Sequence, residues 1–539
     1  MFPLALAILA VGFALYYWGN LRQCLHMMQL NSYYNDRFLK WAKGRRAGRA
    51  QYAYMFCAYL CLLAVLLVLR NLLPLELYLI LSGAAFFVLA ALRKKSTDKK
   101  ALVYTWRARR LLACAGLLCL LFLLFLLIVF RAAFWWTLPF WLAYLNIAAY
   151  LVVLAANTVN KPLEKAVADS FVRDAKRILA ERPGLKVIGI TGSYGKTSTK
   201  NILSQLLSLD FGVLATPESY NTTMGVVRTI REKLAATHEV FVVEMGAKKT
   251  GDIKEICDLV KPSMGIISSI GEMHLDTFFT MDNIIRTKYE LAEAVGGEGL
   301  IFLNTDNEYI RARELSQPTV RYGTSGPEEG RDMDVWAADI RSGPSGSRFD
   351  LCFAGGGAVS CQTRLLGRLN VLNIVAASAV AVKLGLAPDK LPRLIARLEP
   401  VTHRLQLLPP GPDFQIIDDA FNANPEGSAQ ALETLGGFPG FRILVTPGMV
   451  ELAQREEELN RRLGALAAAC CDYIIIVGES RAPAIEAGAL GAGFAREMVY
   501  IAADIQDALA KAGSLAAALS KDEGPVTVLL ENDLPDNYL

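Results

Sequence analysis

The stretch Lys186-Val187-Ile188-Gly189-Ile190-Thr191-Gly192-Ser193-Tyr194-Gly195-Lys196-Thr197-Ser198 decides the fold class. A β-branched run, a glycine-punctuated turn and the amphipathic stretch Thr199 to Leu207 predict strand, loop and helix in succession. Glycines let backbone N–H groups close on phosphate oxygens, and the helix N-terminus adds its positive dipole end. On this reading Gly192, Ser193, Gly195, Lys196, Thr197 and Ser198 form a nucleotide cradle. Lys196 reaches the β/γ-phosphates and the Thr197 hydroxyl holds Mg²⁺. The longer form of the motif has Gly six residues before the lysine, where this chain has Ile190, so the shorter GxxGKT form applies.

Outward from the loop, short apolar runs alternate with helical patterns, the signature of a largely parallel α/β sheet. Strands are predicted at Lys186 to Ile190, Val240 to Val243, Met264 to Ser268 and Leu300 to Leu303. A Gly/Ser-rich stretch from Arg321 to Arg364 (Val335 to Ile340, Phe349 to Phe353) reads as a small antiparallel sheet. A helix from Val371 to Leu384 closes the unit. Beyond Pro400 the pattern restarts with Phe414 to Ile417, Arg442 to Val445, Tyr473 to Val477 and Val526 to Leu530. The expected domains are therefore 161–400, holding the nucleotide, and 401–539, a second α/β domain with a Rossmann-like sheet. Functional residues are expected at strand ends: Glu244, ending the run from Val240, is suited to Mg²⁺, and His274 follows the strand Met264 to Ser268 by a short turn.

The first 160 residues differ in kind. Of 539 residues 53% are apolar and 20% charged, and the mean hydropathy is +0.31, too apolar for an ordinary soluble chain. Five segments approach the length of a membrane-spanning helix: 2 to 18, 51 to 69, 75 to 92, 111 to 130 and 135 to 156. The loops between and around them carry 7, 1, 8 and 1 Lys/Arg in order. By the positive-inside rule the N-terminus is outside and everything from Lys161 onward is cytoplasmic, a multi-pass arrangement in a bacterial-type inner membrane. Residues 1 to 160 carry 17 Lys/Arg against 3 Asp/Glu, whereas residues 161 to 539 carry 39 against 49. The acidic soluble part argues against nucleic acid, and the expected partners are membrane lipids and small or lipid-linked substrates. The ten cysteines show no ligand or redox spacing and read as reduced thiols.

The order of segments is more specific than any one of them. The run Thr191 to Thr199, then Tyr220-Asn221-Thr222-Thr223-Met224-Gly225, Val243-Glu244-Met245-Gly246-Ala247, Gly271-Glu272-Met273-His274-Leu275-Asp276 and Arg286-Thr287-Lys288 resembles the central ATPase domain of the Mur ligases, the peptidoglycan amide ligases. Downstream, Gly367-Arg368-Leu369-Asn370-Val371-Leu372-Asn373, Thr402-His403-Arg404-Leu405-Gln406 and Ile416-Ile417-Asp418-Asp419-Ala420-Phe421-Asn422-Ala423-Asn424-Pro425 resemble that family's hinge and C-terminal ligase domain.

The resemblance implies ATP and Mg²⁺, with Glu244 and His274 around the metals and Lys288 carrying a CO₂-derived carbamate. It also implies that Asn373 contacts adenine, that Arg404 reaches the γ-phosphate and that Asp419 sets the conformation of the C-terminal domain. Asn221, Thr222, Thr223, Asn422 and Asn424 are the implied substrate contacts. The implied activity is an ATP-dependent amide ligase that makes an acyl phosphate and passes it to an amine, in peptidoglycan precursor synthesis. Alternatives are a ligase building a poly-amino-acid or using a lipid-linked acceptor and, from another class, an ATP-driven transporter or regulator. Two departures stand out. Ala420-Phe421 occupy a place where one branch of the family has Ser-Tyr, and membrane segments precede the ATPase region where a nucleotide-sugar-binding domain is expected.

Overall fold

The computed structural model describes residues 1–44, 72–93, 101–218, 220–273, 275–328, 332–409, 414–421, 423–519 and 524–532, with scattered positions between 57 and 68. The chain divides into two compact units at 169/170.

In residues 1–169 the helices are Phe2–Leu30, Asn35–Gly44, Leu75–Ala91, Trp106–Phe130, Phe134–Ile147 and Ala149–Ala180, the last of which continues into the second unit. Two of them, Phe2–Leu30 and Trp106–Phe130, are long and apolar enough to cross a membrane. The five expected spans are thus corrected in part. The segment at 2 to 18 extends to Leu30. The one at 75 to 92 forms only 17 helical residues, about 26 Å at 1.5 Å per residue. The segment at 135 to 156 breaks into two helices bent by 68°, a third candidate only if the pair counts as one span. Near that break Asn146 donates to the Leu142 carbonyl (3.1 Å) and accepts from Asn20 (3.1 Å), side-chain bonding of the kind that competes with the helix ladder. The segment at 51 to 69 lies almost wholly outside the described residues. Helices Phe2–Leu30 and Leu75–Ala91 meet through Gly12 and Gly83: a Cβ on Gly12 would lie 2.5 Å from the Gly83 carbonyl oxygen, so only small residues allow this approach.

The second unit carries two sheets. In the first, nine strands are β1 (Lys186–Thr191), β2 (Val213–Ala215), β3 (Val240–Glu244), β4 (Met264–Ile267), β5 (Leu300–Asn304), β6 (Thr319–Gly323), β7 (Val335–Gly343), β8 (Gly346–Phe353) and β9 (Ala358–Thr363), ordered β2-β3-β1-β4-β5-β6-β7-β8-β9. All pairings to β7 are parallel. The expected small antiparallel sheet is present: β7 pairs antiparallel with β8 and β8 with β9, and through β7 the three extend the parallel sheet.

Both faces of the sheet are covered, which is why its strands read as unbroken apolar runs. Ile188, Ile190, Val240 and Val242 pack with Leu203, Leu206, Ile374 and Val375 of helices Lys196–Leu207 and Gly367–Lys383. The alternate residues Val187, Phe241 and Val243 pack with Ile253, Ile256 and Leu291 of helices Asp252–Val260 and Met281–Val295. Because β1 lies between β3 and β4, the order of succession reverses beside it. A crevice opens there at the carboxyl ends, the usual ligand position in such sheets.

The second sheet holds β10 (Gln406–Leu407), β11 (Gln415–Asp419), β12 (Phe441–Thr446), β13 (Tyr473–Val477), β14 (Val499–Ala502) and β15 (Val526–Glu531), ordered β10-β11-β15-β12-β13-β14. It is parallel except for β10. The last strand inserts between β11 and β12, so the order is not that of a dinucleotide-binding sheet, and the Rossmann-like expectation holds only for the α/β layering.

Candidate active site

The loop after β1 is built by its neighbours. Gly192 has φ +155°, and a Cβ there would lie 2.1 Å from Ser268 Oγ; Gly195 has φ +80° and lies against Asn373. Only glycine fits both demands. Two serines just past β4 clasp the loop: Ser268 Oγ donates to the Tyr194 carbonyl (2.6 Å), and Ser269 Oγ accepts from the Tyr194 N–H (2.8 Å). Lys196 opens helix Lys196–Leu207 and donates to the Gly192 and Ser193 carbonyls (2.6 and 3.0 Å). Burial lowers its pKa to about 8, Glu244 opposes this and Arg404 adds to it. Thr197 and Ser198 follow in the helix's first turn.

Glu244, the last residue of β3, is 1% exposed. One carboxylate oxygen accepts from Lys200 Nζ (3.1 Å) and the other from Asn221 Nδ2 (3.1 Å). Lys200 is itself 1% exposed and also donates to the Glu218 carbonyl. Sequence reasoning missed Lys200, although it stands one helical turn beyond Lys196 and so faces the same way. The pair matters because a buried carboxylate stays ionised only with such partners.

Lys288, on helix Met281–Val295, is 4% exposed. Burial first, and then the neighbouring Lys196 ammonium, hold its pKa well below the ordinary lysine value. Lys196 is thus within electrostatic reach of Glu244 and of Lys288, and Glu290 and Asp252 are the acids nearest Lys288 in effect. His274 lies outside the described residues, as does Asn422.

The second sheet contributes Arg404 and Asp419. Arg404 sits between His403 (φ 59°) and Leu405 (φ 48°), two non-glycine residues in the left-handed region. Its guanidinium stacks 4.1 Å from the Phe421 ring centroid, and its Nε is buried with no hydrogen-bond partner among the described residues. Asp419, at the end of β11, accepts from the Leu405 N–H (3.0 Å) and so fixes that turn. Burial raises its pKa to about 6 against the pull of Arg404. A cleft runs between Gly195 and Ser198 on one wall and Arg404, Asp419, Asn424 and Glu531 on the other. Tyr194 of the loop donates across it to Glu426, and Arg455 pairs with Glu272.

Other expected contacts have evident local duties. Thr222 caps helix Thr223–Lys233, so Thr223 starts that helix, and Asn424 caps helix Pro425–Gly436. Asn373 is 3% exposed; its Oδ1 accepts from Thr199 (3.0 Å), while its Nδ2 is buried without a partner among the described residues. Among the described residues no cluster of three His, Cys, Asp or Glu is preformed for a metal ion.

Comparison with known proteins agrees with this fold. Residues 190–381 match the Mur ligase middle domain and residues 403–522 match the Mur ligase, glutamate ligase domain. The UDP-N-acetylmuramoyl-tripeptide--D-alanyl-D-alanine ligase of Mycobacterium leprae is 32% identical over 283 residues, covering 50% of this chain and 54% of that one. The Escherichia coli (strain K12) ligase of the same name is 27% identical over 354 residues, covering 64% and 77%. The MurF ligase of Thermotoga maritima, solved in complex with ADP, superposes with a TM-score of 0.59 at 25% identity over 68% of this chain and 80% of that one. The chain thus spans between about half and about three quarters of the length of these curated relatives. Residues 1–169 lie outside both family models. With the two domain models matched in order and together covering more than half of its length, the chain belongs to the Mur ligase family.

Proposed function

We propose that the chain is an ATP-dependent acid–amino-acid ligase of MurF type, acting in peptidoglycan precursor synthesis and held at the inner membrane by residues 1–169. One observation carries the ligase reading. Arg404, from the second sheet, acts electrostatically on Lys196 and Glu244 at the carboxyl edge of the first, so two domains converge on one phosphate cradle.

In the proposed reaction a substrate carboxylate attacks the γ-phosphorus of ATP, giving an acyl phosphate and ADP. An amine then attacks the acyl carbon, forming the amide and releasing phosphate. Two anions must meet in the first step, and Lys196 and Arg404 supply the positive field that permits in-line approach. The loop N–H groups would orient the triphosphate, and Asn373, whose Nδ2 is unspent among the described residues, would contact the adenine. Asp419 holds the turn that presents Arg404. The cleft between the sheets keeps water from the acyl phosphate.

The residues fit Mg²⁺ in the way such ions bind beside nucleotides, through few protein oxygens with phosphates completing the shell. Thr197 and Glu244 would hold it, with Lys288 carbamylated and His274 as further ligands, and the bound ion would neutralise phosphate charge. The lowered pKa of Lys288 supports the carbamate, since only a neutral amine adds to CO₂, losing a proton as the N–C bond forms. Asn221, Thr222, Thr223, Asn422 and Asn424 remain the proposed substrate contacts.

The substrates proposed first are those named for the relatives, a UDP-N-acetylmuramoyl tripeptide and D-alanyl-D-alanine. The membrane reading rests on the apolar helices and on exposed Leu117, Leu120, Leu121, Leu124 and Ile128 along Trp106–Phe130. It makes a lipid-linked or polymeric acceptor the second reading.

Mass spectrometry of what ATP turnover consumes tests the proposal: a new amide, ADP and phosphate in equal amounts are expected. Turnover indifferent to every carboxylate and amine pair, UDP-linked, lipid-linked or free, refutes it. Lys288→Ala should lose most activity and regain part of it with small carboxylates; full activity in that variant removes the carbamate.

A further inference from the structure

Residues 1–169 contain a second polar cluster, at one end of their apolar helices. Three segments meet there: Tyr33, just past helix Phe2–Leu30; Arg107, in the first turn of helix Trp106–Phe130; and Asn157, Asn160 and Glu164, spaced three and four residues apart on one face of helix Ala149–Ala180. Asn157 donates to the Tyr33 carbonyl (2.9 Å), and the Arg107 guanidinium carbon lies 3.9 Å from the Tyr33 ring centroid. Arg110 grips Glu164 with two hydrogen bonds (2.6 and 2.9 Å). Ser32 and Tyr33 both take left-handed backbone conformations (φ 55° and 61°), so the turn that presents Tyr33 is held against its own preference.

What distinguishes the cluster is what is left over. Tyr33 Oη, Arg107 Nε and Asn160 Nδ2 are buried and have no hydrogen-bond partner among the described residues. All three can donate, and two can only donate. The nearest carboxylate oxygen to Arg107 Nε is on Glu164 at 3.9 Å, beyond hydrogen-bond range, and Glu164 is already engaged by Arg110. Two guanidinium groups thus face one carboxylate, leaving one positive charge in excess and Arg107 Nε unspent among the described residues. Buried donors of this kind are costly to leave unmade unless something else accepts from them. The Arg107 side chain remains 42% exposed, so the cluster is open at its edge.

We propose that Tyr33, Arg107 and Asn160 form a binding site for the phosphate of a lipid head group. A phosphate offers several acceptor oxygens in different directions, matching donors that arrive from three segments, and a guanidinium fork suits it better than a point charge does. The position at the end of apolar helices is the depth at which head-group phosphates lie. This inference is independent of the ligase chemistry and rests on the membrane reading of residues 1–169.

The test uses the full chain, purified and exchanged into nanodiscs of phosphate-free galactolipid doped with phosphatidic acid, phosphatidylglycerol or oleate, with retained lipid measured by native mass spectrometry. Phosphatidic acid or phosphatidylglycerol should be retained over oleate. Arg107→Gln, Tyr33→Phe and Asn160→Leu should each lower that retention roughly tenfold, the worth of one hydrogen bond to a charged group. Tyr33→Phe keeps the ring under Arg107, and an unchanged unfolding temperature shows that its loss is local. Equal retention by wild type and all three variants, or oleate held as well as the phospholipids, overturns the site. Displacement of the lipid by millimolar inorganic phosphate assigns the site to free phosphate and overturns the lipid source. A chain that extracts from membranes without detergent fails the membrane reading instead, which separates the two.

Discussion

The two sheets of the second unit end in the same way and treat their terminal carboxylates differently. In the first sheet Glu244 ends β3 against an ammonium and an amide, Lys200 and Asn221. In the second, Glu531 ends β15 against two hydroxyls, with Ser428 donating to one oxygen and Thr446 to the other (2.9 Å). Both side chains are 1% exposed. An ion pair lets a buried carboxylate remain charged beside a phosphate cradle. Hydroxyl partners do not offset burial, and the Glu531 pKa rises to about 7. Equivalent strand ends are thus held by a buried ion pair in one sheet and by hydroxyls alone, with a raised pKa, in the other.

The largest effect should come from the arginine that joins the two edges. Arg404→Ala is expected to lower kcat by about 10³-fold, with ATP binding less affected, because its charge acts on the transferring phosphoryl group. A loss confined to KM would mean that the second sheet merely closes the cleft. Next, Lys200→Met should cost about 3–5 kcal/mol in urea-unfolding stability by leaving Glu244 charged and unpaired. Lys200→Met combined with Glu244→Met should recover much of that; equal losses for single and double variants would show that the pair is not the cause.

Glu531 gives the contrasting pH behaviour. Its folded pKa, about 7, lies above its ordinary value of 4.5, so the native state holds a proton that the unfolded chain has lost. Its stabilising contribution is complete below pH 4.5, falls as the pH rises and is gone above about pH 7, a span of about 3 kcal/mol. Unfolding curves of wild type and Glu531→Gln should diverge across that window, and parallel curves would remove the assignment. The smallest effect concerns the bond between the loop and the second sheet. Tyr194→Phe removes the donor to Glu426 and should cost about 1 kcal/mol, read as a change in kcat/KM for the second substrate with ATP binding preserved.

Much of the first edge is legible in the amino-acid order alone. Strand, glycine turn and helix follow one another within 22 residues, Lys186 to Leu207, and local patterns of that length are set by neighbours in sequence. Glu244 is legible for the same reason, standing at the end of an apolar run. Its partner Lys200 is not, since a lysine on a helix looks alike whether it meets solvent or a buried acid. The edge strands β2, β9, β10 and β14 escape a sequence reading because edge pairing asks little of sequence pattern. Arg404 and Asp419 are found through family resemblance; nothing in their local sequence marks them.

Residue order is enough to specify the phosphate loop, the parallel α/β layering and the apolar character of the first 160 residues, because backbone conformation and hydrophobic periodicity are local properties. Long-range packing settles that β15 enters between β11 and β12, that Lys200 pairs with Glu244 and that Tyr194 meets Glu426 across 232 positions of chain. Those outcomes depend on which surfaces bury one another, and burial sets both the charge a group can keep and the partner it must find.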